Sequence, residues 1–318
     1  MLIAAATLDD LLRKAFRAVL DNGAPVEASR GPNSELCGVL LKLSNPRARL
    51  SQTETKGKVF SALGELAWYL SASDRADFIS YYISHYANEE EVDGSVRGAY
   101  GPRLFTAAWH NQFESVAALL KRKPNTRQAV IQLFDNSDLA GMYKDIPCTC
   151  TLQFMVRDAK LNLTVTMRSN DVYKGLPHDV FSFTMLQEIM AVMLQLPLGD
   201  YTHFAASLHL YDKQKAQAKL LIDEGVLGTK AASMPQIPDT DKTLWKSIKA
   251  FRRAEVAIRS GREPEPEAEP LHDYWQDLIR LLRVFRHSKT DNFDAIAAIR
   301  GQMVSPYYAE YIVAREGA

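Results

Sequence analysis

The chain has 318 residues, 47% of them hydrophobic and 24% charged, and its 38 Lys and Arg balance 38 Asp and Glu. This is globular composition with enough chain for a large core, and the absence of net charge excludes a global basic field that would recruit nucleic acid, so any anion site must be local. Three cysteines exclude a disulfide framework. No run approaches the ~20 apolar residues of a membrane span, and "MLIAAATLDDLLRKAFRAVL" turns acidic too soon for a signal peptide. The expected setting is cytoplasmic, with neither membrane nor nucleic acid as partner.

In chain order, residues 7–22 predict an amphipathic helix with Leu8, Leu11, Leu12 and Phe16 on one face, closed by the turn pair Asn22-Gly23. A second helix spans roughly 57–71 and contains "GELAWYL"; a third fits 104–122, where apolar residues recur at helical spacing. "RQAVIQLF" (127–134) is β-rich. Leu161, Leu163, Val165 and Met167 alternate with Asn162, Thr164, Thr166 and Arg168, a strand that "RDAK" joins to the preceding apolar run as a hairpin. After the break at "GLP", "VFSFTMLQEIMAVMLQL" (180–196) is a buried helix and "YTHFAASLHLY" (201–211) a strand. From about residue 226 two amphipathic helices flank "REPEPEAEP" (262–270), a charged proline-bearing linker that cannot be helical throughout. The expected organisation is a catalytic domain over 1–225 and a helical extension over 226–318.

The stretch "DIPCTCTLQF" (145–154) poses the functional question, since Cys-x-Cys can bind metal, cycle between redox states, or hold one nucleophile and a bystander. Structural zinc wants four ligands, usually in two close pairs. No second pair exists, and Cys37 is remote in sequence, so no metal is expected. Strand periodicity makes Cys150 face the same way as Cys148, and Cys150 reads as a small buried hydrophobe. Cys148, directly after Pro147, is the candidate nucleophile.

Around Cys148 the chain resembles the thymidylate synthase family over roughly residues 8–215. The matching pieces occur in order: Arg30 in "SRGPNSELCGVLL", Glu65 in "GELAWYL", Tyr100 in "GAYG", Arg127 in "PNTRQ", Cys148 in "PC", Arg168, Ser169 and Asp171 in "RSND", Gly175 and Asp179 in "GLPHD", and His209 and Tyr211 in "SLHLY". The resemblance implies an α+β fold, a large twisted mixed sheet packed against helices, here with a C-terminal helical extension. It implies a homodimer with shared active sites and 5,10-methylenetetrahydrofolate as co-substrate. It also implies that Cys148 adds to C6 of a pyrimidine, turning C5 into an enamine-like carbon able to attack a one-carbon donor. Nearby arginines would favour the thiolate.

By the same resemblance Arg30, Arg168 and Ser169 bind the nucleotide's phosphate, and Arg127 reaches a partner's phosphate; the family's second partner-donated arginine is replaced by Gln128. Glu65 and Tyr100 serve a proton-relay water network. His209 and Tyr211 bind the sugar 3′-hydroxyl, and Asp171 and Gly175 belong to the folate site. Read without the resemblance, Glu65 is a solvated helix-face residue, Arg168 a surface charge, and Asp179 an N-cap.

Three departures matter. Thymidylate synthases have Asn where this chain has Asp179; a protonated acid donates to N3 of cytosine and accepts from its amino group. They have His where this chain has Thr149, and a family tryptophan near the transferred methylene falls at Tyr86 by spacing. "CTCTLQFMVRDAKLNLTVTMRSND" is similar to the cytidylate and deoxycytidylate 5-hydroxymethylase branch, in which water rather than hydride attacks the methylene. The expected activity is 5-hydroxymethylation of CMP or dCMP. A methylating enzyme acting on dUMP or a cytidine nucleotide, and a non-catalytic nucleotide-binding interaction protein, stand as alternatives.

Overall fold

The computed structural model describes residues 1–53, 58–106, 110–224, 233–267 and 270–316. Strand β1 (Leu2–Ala5) leads into helix α1 (Leu8–Asn22). Thr7 caps α1, its hydroxyl accepting the Asp10 amide at 3.2 Å, and Asp9 and Asp10 complement the positive end of the helix. Leu8, Leu11, Leu12 and Phe16 are all buried, as their spacing requires. β2 (Ala24–Ala28) and β3 (Gly31–Leu43) form a hairpin with Arg30 at its turn. The thirteen residues of β3 escape a period-two reading because Gly31, Pro32 and Gly38 interrupt the pattern.

Helix α2 (Val59–Leu70) is buried on nearly every side; residue 57, where the sequence pattern would start it, lies outside the described residues. α3 (Ala76–Tyr82) crosses it at Gly64, where a Cβ would fall 2.1 Å from the Tyr82 ring. The single helix expected over 104–122 is instead two, α4 (Tyr100–Phe105) and α5 (Gln112–Arg122), with 107–109 outside the described residues. The reason is Asn111, whose side chain accepts the Glu114 amide at 3.0 Å and so starts a new helix.

β4 (Val130–Gln132) is shorter than the sequence suggests. β5 (Thr149–Arg157) and β6 (Lys160–Met167) form the expected hairpin, with Asp158 and Ala159 both at positive φ as a two-residue turn that follows strand twist requires. β7 (Asn170–Asp171) precedes α6 (Gly175–Leu194), whose almost uniformly apolar surface is buried all round. β8 (Leu198–Tyr211) and α7 (Lys215–Asp223) follow. The expected boundary between residues 225 and 226 lies outside the described residues.

Beyond it come α8 (Leu244–Arg259), α9 (Asp273–Ser288), α10 (Phe293–Arg300) and α11 (Ala309–Val313). Residues 262–267 are non-helical, and 268 and 269 lie outside the described residues. Phe285 of α9 stacks on Phe60 and Tyr82, and the Tyr82 hydroxyl donates to buried Glu255 of α8 at 2.9 Å. The Tyr311 hydroxyl donates to the Ser51 carbonyl at 2.8 Å.

The mixed sheet runs β1-β3-β8-β6-β5-β4, with β2 added on β3 and β7 on β8; β8 is antiparallel to β3 and parallel to β6. One face of the β3–β8 ladder carries Val39, Leu41, Leu43, Tyr201, His203 and Ala205, all buried in the core. Further along the same ladder, that face carries Asn33, Glu35, Ser207, His209 and Tyr211 and becomes the wall of a cavity. Among the described residues no helix is long and apolar enough to cross a membrane.

Candidate active site

The cavity encloses about 1260 Å³ between the open end of the sheet, α2 and the start of α6. Cys148, Glu65, Tyr100, Asp179, Arg30, Arg168, Ser169, Asp171, Gly175, His209 and Tyr211 all line it. Arg127 does not: it is exposed, beside the edge strand β4, where its carbonyl accepts from the Gln153 side chain at 2.9 Å.

Cys148 sits one residue before β5, where the ladder with β6 begins. The Arg168 amide donates to the Cys148 carbonyl at 2.9 Å, and the Arg168 guanidinium grips the two preceding carbonyls, Pro147 at 2.9 Å and Ile146 at 3.0 Å. Arg168 is thus a clamp on the cysteine's own loop rather than a loose surface charge. A β-bulge follows: Thr149 pairs with Met167 but Thr151 with Thr166, so Cys150 is the extra residue. The bulge overturns the expectation that both cysteines face one way. Cys148 lines the cavity and Cys150 does not.

The arginines favour the thiolate as expected, but burial outweighs them. Burial pushes Cys148 up to about 11, with Arg168 and Arg30 opposing and the Asp145 and Asp179 carboxyls adding to the rise. Arg30 is itself engaged, paired with Glu89 at 3.0 Å and with Asp145 at 3.5 Å. Asp145 is raised to about 6 by burial and by Glu89, against Arg30 and Arg168.

Deeper in, Glu65 is 5% exposed, which removes the solvated-face reading. Its Oε1 accepts from the hydroxyls of Tyr69, one helical turn on, at 3.0 Å and of Tyr86 at 3.2 Å. Burial lifts the carboxyl to about 7 despite these two donors. The Tyr100 hydroxyl accepts from the Thr149 amide at 3.1 Å and the Thr149 hydroxyl at 2.9 Å, leaving its own proton to donate elsewhere. Thr149, where the family has His, is therefore a support for Tyr100.

Asp179 lies inside α6, whose N-cap position is Lys174, so the N-cap reading does not hold. Its Oδ2 accepts from Asn170 Nδ2 at 2.7 Å. Burial, and then the Glu65 charge, hold its carboxyl well above the usual range, against the Asn170 hydrogen bond. A Cβ at Gly175 would come within 3.1 Å of the Asn170 amide and 3.4 Å of the Asp179 carboxyl; the glycine leaves room for that pair. Asp171 Oδ1 accepts the Tyr173 amide at 2.7 Å and the Lys174 amide at 3.0 Å, shaping the turn into α6. The His209 and Tyr211 rings meet edge-on at 5.1 Å on one strand face.

Sequence reasoning passed over Tyr69, Asn170, Glu89 and Asp145. The first two had readable signals, an i,i+4 partner for a buried carboxyl and a polar residue inside "RSND". The last two act through the fold of a loop that no periodicity marks.

The sequence matches the thymidylate synthase family over residues 14–262, past residue 215 where the recognisable motifs end. It is also similar to the deoxyuridylate hydroxymethyltransferase of Delftia phage PhiW-14, 28% identical over 199 residues that cover 58% of this chain and 55% of that protein. The chain spans about half the length of that curated relative.

Proposed function

Since the chain belongs to the thymidylate synthase family, we propose that it transfers a one-carbon unit to C5 of a pyrimidine nucleoside monophosphate, that the nucleotide is CMP or dCMP, and that the product carries a 5-hydroxymethyl group. What supports the substrate reading is a carboxyl, Asp179, held by Asn170 where the resemblance places an amide, with burial favouring its protonated form. With Oδ2 accepting the Asn170 amide, Oδ1 is the oxygen free to carry that proton. Oδ1–H turned to N3 and Oδ2 to the 4-amino group matches cytosine, and it stabilises the negative charge that N3 gains when a thiolate adds to C6. The same acid with its oxygens exchanged matches uracil. The phage relative's name favours that second reading.

In this mechanism the Cys148 thiol gives its proton to solvent as Sγ bonds to C6, with Arg168 opposing the effect of burial on the thiol. C5 then bonds to the donor's methylene and loses its own proton as tetrahydrofolate leaves. Glu65, poised near 7, takes the proton of the water that adds to the exocyclic methylene, and Sγ leaves C6 as the C5–C6 double bond re-forms. Tyr86, on Glu65 Oε1 where the family has tryptophan, helps hold that water. The one-carbon donor is 5,10-methylenetetrahydrofolate, bound beside Asp171 and Gly175. The cavity's 1260 Å³ exceeds the roughly 300–1,000 Å³ of single-ligand pockets, which supports two substrates side by side. A mere nucleotide binder has no use for a buried carboxyl poised near neutrality.

Incubating the protein with CMP, dCMP or dUMP and the folate, then weighing the products, tests the reading. A 5-hydroxymethyl cytidine nucleotide is expected without a rise in dihydrofolate absorbance. A methylated product, or turnover of dUMP alone, would replace it.

The exposed Arg127 supports a homodimer that shares its sites. Mixing Arg127→Ala with Cys148→Ser chains should then restore one good site per mixed dimer. Mixed dimers without activity would sink that part.

A further inference from the structure

The sugar end of the cavity holds a carboxylate that the proposed chemistry leaves unused. Glu35 of β3 is the direct cross-strand partner of His209 on β8, and Cys37 is the partner of Ser207. In an antiparallel ladder such partners lie about 4.5–5.5 Å apart at Cα, and residues two apart share a face. Glu35 therefore stands beside the ring assigned to the sugar 3′-hydroxyl, on the face that lines the cavity.

Its orientation is fixed. The Ser207 hydroxyl donates to Glu35 Oε1, and the Cys37 thiol approaches Oε2 at 3.6 Å. A thiol is a weak donor, so Oε2 keeps its capacity for a stronger partner, and Oε1 keeps a second lone pair. The Glu35 charge is also felt at His209, where Asp171 and then Glu35 oppose the lowering of the imidazole's pKa by burial.

A carboxylate in a cavity meant for a phosphate dianion repels its ligand unless it gains hydrogen bonds in return. The group placed to give one here is the ribose 2′-hydroxyl, and an acidic side chain on that hydroxyl is how dinucleotide folds recognise ribose. A 2′-deoxy sugar offers only the 3′-hydroxyl, which His209 and Tyr211 already take.

We propose that Glu35, aimed by Ser207, is the sugar-specificity residue, accepting the 2′-hydroxyl and making the substrate a ribonucleoside monophosphate rather than its deoxy analogue. This rests on the nucleotide reading above but not on the identity of the base. On that reading the favoured cytidine substrate is CMP.

The test measures dissociation constants by calorimetry for CMP, dCMP, UMP and dUMP with the full chain, with Glu35→Gln and with Ser207→Ala. The wild type should prefer the ribonucleotide of each pair. Glu35→Gln should shrink the ribo-to-deoxy ratio at least tenfold for both bases, and Ser207→Ala should shrink it less. A general packing defect would weaken both sugars together and leave the ratio alone. A wild-type preference for the deoxy forms, or an unchanged ratio in both variants, would overturn the assignment while leaving the nucleotide reading intact. Failure to bind any of the four nucleotides would overturn both. Should Glu35→Gln not fold, the Ser207→Ala ratio decides.

Discussion

The two ends of the cavity handle acidic side chains differently. At the end proposed for the base, Glu65 and Asp179 are buried, and burial raises both carboxyls, Glu65 to about 7. At the Arg30 end, Glu89 and Asp145 pair with the half-exposed guanidinium at 3.0 Å and 3.5 Å, while burial and Glu89 still raise Asp145 to about 6. The first arrangement makes acids that can give and take protons at physiological pH. The second holds the Arg30 guanidinium between two carboxyls. The two ends thus differ chiefly in whether a cation stands beside the carboxyls.

The severest test of the proposed chemistry is Cys148. Cys148→Ser should lower kcat by roughly 10³-fold or more while nucleotide affinity measured by calorimetry stays within a few-fold. Cys150→Ser, at the bulge, should remain active. The reverse pattern would misplace the chemistry.

Glu65→Gln should cost roughly 10²- to 10⁴-fold in kcat and should also stabilise the protein, with a defined sign. The wild-type carboxyl titrates near 4.5 unfolded and about 7 folded, so the folded state holds the proton more tightly. Stability must then fall as pH rises from 4.5 to 7 and level off above. Gln removes that loss, so the variant's advantage should be greatest above pH 7 and vanish below about 4.5. Every tenfold difference in proton affinity between the folded and unfolded states is worth about 1.4 kcal/mol. Urea melts at pH 5 and pH 8 on both proteins read the effect, and an advantage at pH 5 that matches the one at pH 8 would count against a buried, proton-holding Glu65.

Asp179→Asn should shift the cytidine-to-uridine ratio of kcat/KM toward uridine. One unpaired buried polar group costs about 1–3 kcal/mol, which is roughly ten- to a hundredfold. An unchanged ratio would leave Asp179 only its bond to Asn170.

The smallest effect belongs to the Arg30 end. Asp145→Asn should improve nucleotide KM a few-fold at pH 8, where the wild-type carboxylate, titrating at about 6, is charged and competes for Arg30. The gain should disappear near pH 5, where both side chains are neutral. Comparing the variant with the wild type at each pH cancels the phosphate's own titration. An equal gain at both values would point to packing instead.

Much of this was legible in the sequence because the residues sit in short ordered motifs on regular elements. "RSND" and "GLPHD" deliver their side chains through a strand end and a first helical turn. The α1 stripe and the β5–β6 hairpin announced themselves by period, and the buried α6 by a long, nearly apolar run. What escaped depended on particular local events. Asn111 restarts a helix, Cys150 bulges out of register and redirects its neighbour, and β3 hides behind Gly31, Pro32 and Gly38. The pairing of Arg30 with Glu89 and Asp145 joins segments more than fifty residues apart, and local propensity says nothing about such a closure.

The contact of Tyr82 on Gly64 reaches further than its size suggests. The ring is pinned from behind by Glu255 of α8 and Phe285 of α9, and in front it lies against the backbone next to Glu65. The distal helices therefore help keep water from Glu65. Cut away after residue 233, Glu65 should rehydrate and drift back toward an ordinary glutamate. Acidity here is a property of the whole architecture, set by a remote shield.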